Sequence, residues 1–279
     1  MLPNLVIIGA MKCGTTSLHH YLSLHPEISM SKQKELDFFI EKKNWKKGLQ
    51  WYKDQFLPKS GAKIFGEASP NYTNSLYFPG AAEKMHSVIP NAKLIYLVRD
   101  PIERMIAHYI HMYSCGHESK SIDRALTKAE RNVYLICSSY YTQICYFLDY
   151  FDISQILIIP SEDLRKNTSE TLKRIFQFLD VDVSFESWQF AYQHHKSTRK
   201  RRKTSRGKAI ASSRLMKRLS QIPQPIRSPI EEILYLPFSE SINRPKISES
   251  TRVHIKNCLA EDIERFRGLT TCEFPAWSV

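Results

Sequence analysis

Lys12, Gly14, Thr15, Thr16 and Ser17 fall between an apolar run and a helical pattern. A cation, a glycine and three hydroxyls in that order suit the binding of an anion. Backbone N–H groups at a helix start point at one spot, and the helix dipole adds positive potential there. Lys12 adds a mobile charge, and Cys13 separates it from Gly14. A plain Gly turn between strand and helix is the other reading, since such turns are common in α/β proteins. The nucleotide-hydrolase loop places Lys and Ser/Thr directly after its second Gly. Here Thr15 follows Gly14, and the lysine stands before that glycine.

A second candidate anion site begins at Arg99. It ends the apolar run Lys93–Val98, and Asp100-Pro101 follows. Asp is a favoured N-cap and Pro a favoured first helical residue, so a helix carrying Arg104 and Tyr109 is expected from Pro101. Ligands of open α/β sheets bind at such carboxyl edges.

The elements that must position these residues follow from apolar patterning. Leu5–Ile8 reads as a buried strand and Thr15–Leu24 as an amphipathic helix. Glu27–Met30, Ile64–Glu67, Lys93–Val98 and Gln155–Ile159 read as further strands. Thr168–Leu179 and Ser248–Phe266 read as helices, and Glu162-Asp163-Leu164 as the start of a turn. Tyr140, Tyr141, Ile144, Phe147 and Leu148 form an apolar stripe that reads as core. Lys34-Glu35 followed by Phe38-Phe39 is compatible with a helix start closed by a buried aromatic staple. Strands alternating with helices predict an α/β fold with a central parallel sheet flanked by helices.

The chain has 279 residues, enough for a sizeable core, and one domain over 1–279 is expected. Its formal charge is +12, and the distribution says more than the sum. Between Glu186 and Glu231 lie 12 of the 40 basic residues and no acidic one, which leaves 28 basic against 28 acidic elsewhere. The segment 194–228 thus carries the whole excess, as a solvated loop, a nucleic-acid patch or a lid over a polyanion. Pro223, Pro225 and Pro229 mark an extended linker. The six cysteines have no metal spacing and read as free thiols of a reducing compartment. The histidines form no metal motif, so no metal is expected. No apolar run is long enough to span a membrane. A first strand starting at about residue 5 leaves no room for a signal peptide, so a cytoplasmic location is expected.

The loop Lys12-Cys13-Gly14-Thr15-Thr16 resembles the 5′-phosphosulfate loop of sulfotransferases that use 3′-phosphoadenosine 5′-phosphosulfate (PAPS). Lys34-Glu35-Leu36-Asp37-Phe38-Phe39 resembles the Lys-Glu-x-x-Phe-Phe segment of the heparan-sulfate type and related bacterial enzymes. Gly48-Leu49-Gln50-Trp51-Tyr52 and Gly66-Glu67-Ala68-Ser69-Pro70-Asn71-Tyr72 are similar to further segments of that family, with Ala68 where many members have lysine. Arg99, Pro101, Arg104 and Tyr109 match the 3′-phosphate motif, with Ala107 in place of its serine.

The resemblance implies a P-loop nucleotide-kinase-like fold and sulfuryl transfer from PAPS to a hydroxyl or amine of an acceptor, with a glycan or glycolipid as a candidate. It implies Lys12 and Glu35 as catalytic residues, Glu35 as general base with Glu67 the competing carboxylate. It implies that Lys12, Cys13, Gly14, Thr15, Thr16 and Ser17 hold the 5′-phosphate, and that Arg99 holds the 3′-phosphate. The basic segment around Arg199 and Arg201 is expected to close over the latter. Two other readings remain open on the residues alone: an ATP-dependent kinase, and a nucleic-acid binder using the basic segment.

Overall fold

Strand β1 spans Leu5–Gly9, and Leu5, Val6, Ile7 and Ile8 are fully buried. Each such aliphatic side chain contributes about 1.5–3 kcal/mol relative to exposure. The computed structural model describes residues 1–57, 59–128, 132–191, 201–204, 234, 236–270 and 272–279. Four further strands join β1: β2 (Ile28–Met30), β3 (Ile64–Ala68), β4 (Lys93–Val98) and β5 (Ile156–Pro160). Their order is β2-β3-β1-β4-β5, and every pairing is parallel. The earliest strand is therefore the middle one, with Leu5 opposite Gly66 on one side and Lys93 on the other.

Helices cover the sheet. α1 (Thr15–Leu24), α2 (Gly48–Lys53), α3 (Ala81–Val88) and α4 (Pro101–Cys115) come first. α5 (Ile122–Leu126), α6 (Val133–Ile136), α7 (Tyr140–Leu148), α8 (Ser161–Lys166) and α9 (Thr168–Leu179) follow. The last is α10 (Glu249–Thr270), with Ile255, Leu259, Ile263 and Phe266 buried along one face. The expected stripe on α7 is core at Tyr140, Ile144 and Phe147.

Two local expectations are corrected. Glu162-Asp163-Leu164 is not a turn but lies inside α8, where two acids in the first turn suit the helix dipole. Residues 34–39 form no helix, because Glu35 (φ 63°) and Asp37 (φ 47°) both adopt left-handed backbone. The Pro-marked linker, and most of 194–228, lie outside the described residues.

Candidate active site

The loop between β1 and α1 is built by two glycines and a buried thiol. A Cβ on Gly9 would overlap the Thr73 hydroxyl, so only glycine lets the Pro70–Thr73 turn approach β1. Gly14 (φ 97°) is the N-cap of α1 and offers no side-chain cap, and the first turn of α1 carries no acid. Its leading N–H groups therefore face the loop without a helical acceptor or a competing carboxylate. Lys12 (φ 72°) is half-buried in the same bend. Thr15 is buried, Thr16 half-buried, and the Ser17 side chain is hydrogen-bonded with Tyr21. Cys13 turns inward: its Sγ lies 3.7 Å from the Tyr140 hydroxyl, and burial pushes its thiol up to about 11. That thiol stays protonated and anchors the loop to the core.

The Arg99 loop lies against this one. Arg99 donates from Nη1 to the Lys12 carbonyl (3.5 Å) and from Nη2 to Glu103 (3.2 Å). Burial raises the Glu103 carboxyl, but Arg244 and Arg99 hold it below its ordinary value. The Tyr140 hydroxyl accepts from the Arg99 N–H (3.2 Å) and donates to the Arg99 carbonyl (2.7 Å). One phenol thus touches both loops. Asp100 caps α4 as expected, accepting from the Glu103 N–H at 2.8 Å. Its other oxygen accepts from the Ser278 N–H, and its own N–H donates to Glu162 (3.0 Å). Phe266, Phe274 and Trp277 stack on one another, and Trp277 lies tilted against Tyr140.

Arg104 is fully buried. Its guanidinium donates to Ser138 Oγ (2.6 Å), the Tyr134 carbonyl (2.6 Å) and the Met11 carbonyl (3.4 Å). It is a brace for the first loop. The Tyr109 hydroxyl donates to the Lys120 carbonyl (2.8 Å).

Glu35 stands across from the loop. Its side chain is half-exposed and pairs with Lys34 at 2.8 Å. Burial raises its carboxyl, but the Lys34 charge and hydrogen bond, with the charges of Lys12 and Lys43, hold it below its ordinary value. Asp37 is buried beside it, paired with Lys43 and accepting from Asn71 Nδ2 (3.1 and 3.2 Å). Its carboxyl is raised, by burial first and by the charge of Glu35 last. Glu67 is fully buried under this turn, and burial pushes it up to about 7.

Lys12, Cys13, Gly14, Thr15, Thr16, Ser17 and Arg99 thus share one edge of the sheet, with Glu35 in reach of the Lys12 charge. Arg199 lies outside the described residues. Arg201 begins β6 (Arg201–Lys203), which pairs antiparallel with β7 (Ser239–Ser241). Its guanidinium bonds within that hairpin, to Ser239 Oγ (2.8 Å), the Ser239 carbonyl and the Leu236 carbonyl (3.4 Å). Arg202, not Arg201, reaches α4, with its guanidinium 3.8 Å from the Tyr113 ring centre. Among the described residues no group of His, Cys, Asp or Glu is arranged to hold a metal, and no helix is long and apolar enough to cross a membrane.

The sulfotransferase domain family matches residues 2–221. The bifunctional heparan sulfate N-deacetylase/N-sulfotransferase 1 of Caenorhabditis briggsae is 31% identical over 208 residues, covering 67% of this chain and 24% of that protein. The membrane-associated sulfotransferase kil1 of Dictyostelium discoideum is 40% identical over 111 residues, covering 39% of this chain and 22% of that protein. The chain therefore spans a minor part of either relative's length. A solved sulfotransferase from Alicyclobacillus acidocaldarius superposes with a TM-score of 0.72 at 22% identity, over 100% of both chains, which shows a shared fold. With 2–221 matched as one continuous stretch, this chain belongs to the sulfotransferase domain family.

Proposed function

We propose that this domain moves a sulfuryl group from PAPS to a hydroxyl or amine of a glycan. The observation that carries this reading is the junction of the Arg99 side chain with the Lys12 carbonyl (3.5 Å), which brings the loops after two neighbouring parallel strands together at one sheet edge. The donor bears several negative charges, and the amides of Gly14–Ser17 with Lys12 and Arg99 supply matching donors. Lys12 stabilises the charge that gathers on the bridging oxygen as the S–O bond breaks. Glu35, ionised at neutral pH, takes the proton from the attacking O–H or N–H. Arg99 binds the 3′-phosphate. The new O–S or N–S bond forms as 3′-phosphoadenosine 5′-phosphate (PAP) leaves. Protein cations do the work of a metal in this scheme.

The glycan acceptor is supported by the heparan sulfate enzyme among the relatives. The six free cysteines favour a reducing compartment, and the whole of 1–279 is read as one domain. The test is incubation with labelled PAPS and N-desulfated heparin, which offers both free amines and hydroxyls, with ATP as the control donor. Label transferred from PAPS alone is expected. Absence of PAP binding would reject the site, and PAP binding without transfer would reject the acceptor class.

A further inference from the structure

Glu67 ends β3 with no exposed surface, and three hydroxyls converge on it. Tyr52 and Tyr72 donate to Oε1 at 2.7 and 2.8 Å, and Ser69 donates to Oε2 at 2.6 Å. An ionised carboxylate only accepts hydrogen bonds. Each hydroxyl must therefore turn its hydrogen toward Glu67 and its lone pairs away. Two of those lone pairs meet the turn that carries Glu35. Ser69 Oγ accepts from the Asp37 N–H at 3.0 Å, and the Tyr72 hydroxyl accepts from the Phe39 N–H at 3.5 Å. The Glu35 N–H donates to the carbonyl of Ala68, the residue after Glu67, at 3.0 Å. The amides of residues 35, 37 and 39 are thus all held by the end of β3 and the turn after it. Such holding is needed, since left-handed backbone is unfavourable for the side-chain-bearing residues Glu35 and Asp37.

We propose that Glu67 is a positioning residue for Glu35: its carboxylate sets the direction of the Ser69 and Tyr72 hydroxyls, and these fix the turn that presents Glu35. The proposal rests on the reading of Glu35 as the base. It also removes Glu67 from competition for that role, because its oxygens are enclosed by hydroxyls and cannot meet an acceptor.

Burial raises Glu67 to about 7, against the hydrogen bonds of Ser69, Tyr52 and Tyr72, and the charge of Asp37 adds to the rise. Asp37 is itself matched by Lys43, and Glu35 by Lys34. Below this value Glu67 gains a proton, one of its oxygens becomes a donor, and a hydroxyl must turn round. Where that hydroxyl is Ser69 or Tyr72, the turn loses the fixed direction of one of its two hydroxyl acceptors.

Two measurements test this. In wild-type protein the amide NMR shifts of Asp37 and Phe39 should titrate together near pH 7, and in Glu67→Gln they should not. Amides that do not titrate, or that still titrate in Glu67→Gln, overturn the proposal whatever Glu35 does. With PAPS and N-desulfated heparin saturating, Glu67→Gln should lower kcat by about tenfold to a hundredfold and leave PAP affinity within about twofold. The acid limb of kcat near pH 7 should vanish with it. Unchanged kcat and pH profile beside an inactive Glu35→Gln would overturn the positioning role alone. An active Glu35→Gln would instead overturn the reading of Glu35 as base. If Glu67→Gln does not fold, Ser69→Ala removes the Asp37 acceptor and keeps the carboxylate. It too should lower kcat at unchanged PAP affinity, and an unaltered kcat would reject the proposal.

Discussion

Arg99 Nη1 lies 3.5 Å from the carbonyl oxygen of Lys12, across the gap between two neighbouring strands. The loops after β1 and β4 are therefore one surface. A cation from each faces the same sheet edge, although the two residues are 87 positions apart.

Lys12→Ala should lower kcat by about a hundredfold or more under the proposed reaction, in which its charge acts on the oxygen that leaves. Thermal unfolding should stay near wild type, since the side chain is only half-buried. A kcat within about threefold of wild type would mean that Lys12 does not touch the leaving oxygen.

Arg104→Met should destabilise the fold by at least about 2 kcal/mol, since it strands buried acceptors. The bonds lost are those to Ser138, Tyr134 and Met11. PAP binding should weaken in the same variant, because the Met11 carbonyl belongs to the first loop. Urea unfolding and calorimetric titration of PAP measure the two effects. Lost stability with unchanged PAP affinity would show that the brace does not shape the loop.

Ala107→Ser should tighten PAP binding by about 1.5 kcal/mol, or roughly tenfold, by adding a donor for a charged oxygen. Ala107 is 6% exposed on α4, two turns beyond Arg99. Adenosine 5′-phosphate, which lacks the 3′-phosphate, is the control and should show no gain. Equal gains for both nucleotides would place residue 107 away from the 3′-phosphate.

Glu67 should leave a mark on stability as well as on rate. Its carboxyl value rises from 4.5 to about 7 on folding, so the folded state binds this proton more tightly. The stabilising contribution is full below the unfolded value and is lost as pH climbs through the folded one. The total is about 3 kcal/mol. Glu67→Gln has no such proton, so its stability relative to wild type should improve steadily between pH 4.5 and 7. A stability difference that is constant across that window would show that Glu67 is not raised.

Much of the scaffold is legible in the sequence. Lys93–Val98 and Thr168–Leu179 form their elements at the residues where the apolar pattern starts and stops. The Asp100-Pro101 helix start is met because cap preference is a local property. The turn at Glu35 is not legible, since left-handed φ at Glu and Asp follows from the surrounding hydrogen bonds and not from residue type. Nor is the brace at Arg104, whose partner Met11 lies 93 residues away. Tyr140 looks like one more aromatic in a helical stripe, yet its hydroxyl joins Arg99 and Cys13. Arg201 shows the limit of composition. A run of charge says that something polar is nearby, but Arg201 finds Ser239 within its own hairpin.

The bond between Asp100 and Ser278 joins residues 178 positions apart. On the ribosome the β4–α4 corner emerges long before its partner. Until residue 278 is made, one oxygen of Asp100 faces water and the face of Tyr140 that Trp277 covers stays open. Non-local contacts of this span form late and slowly. Translation that stalls short of this segment would release a product with all five strands of the sheet but an unfinished Arg99 corner. Completion of the Arg99 corner is thereby tied to synthesis as far as Ser278, 178 positions after Asp100.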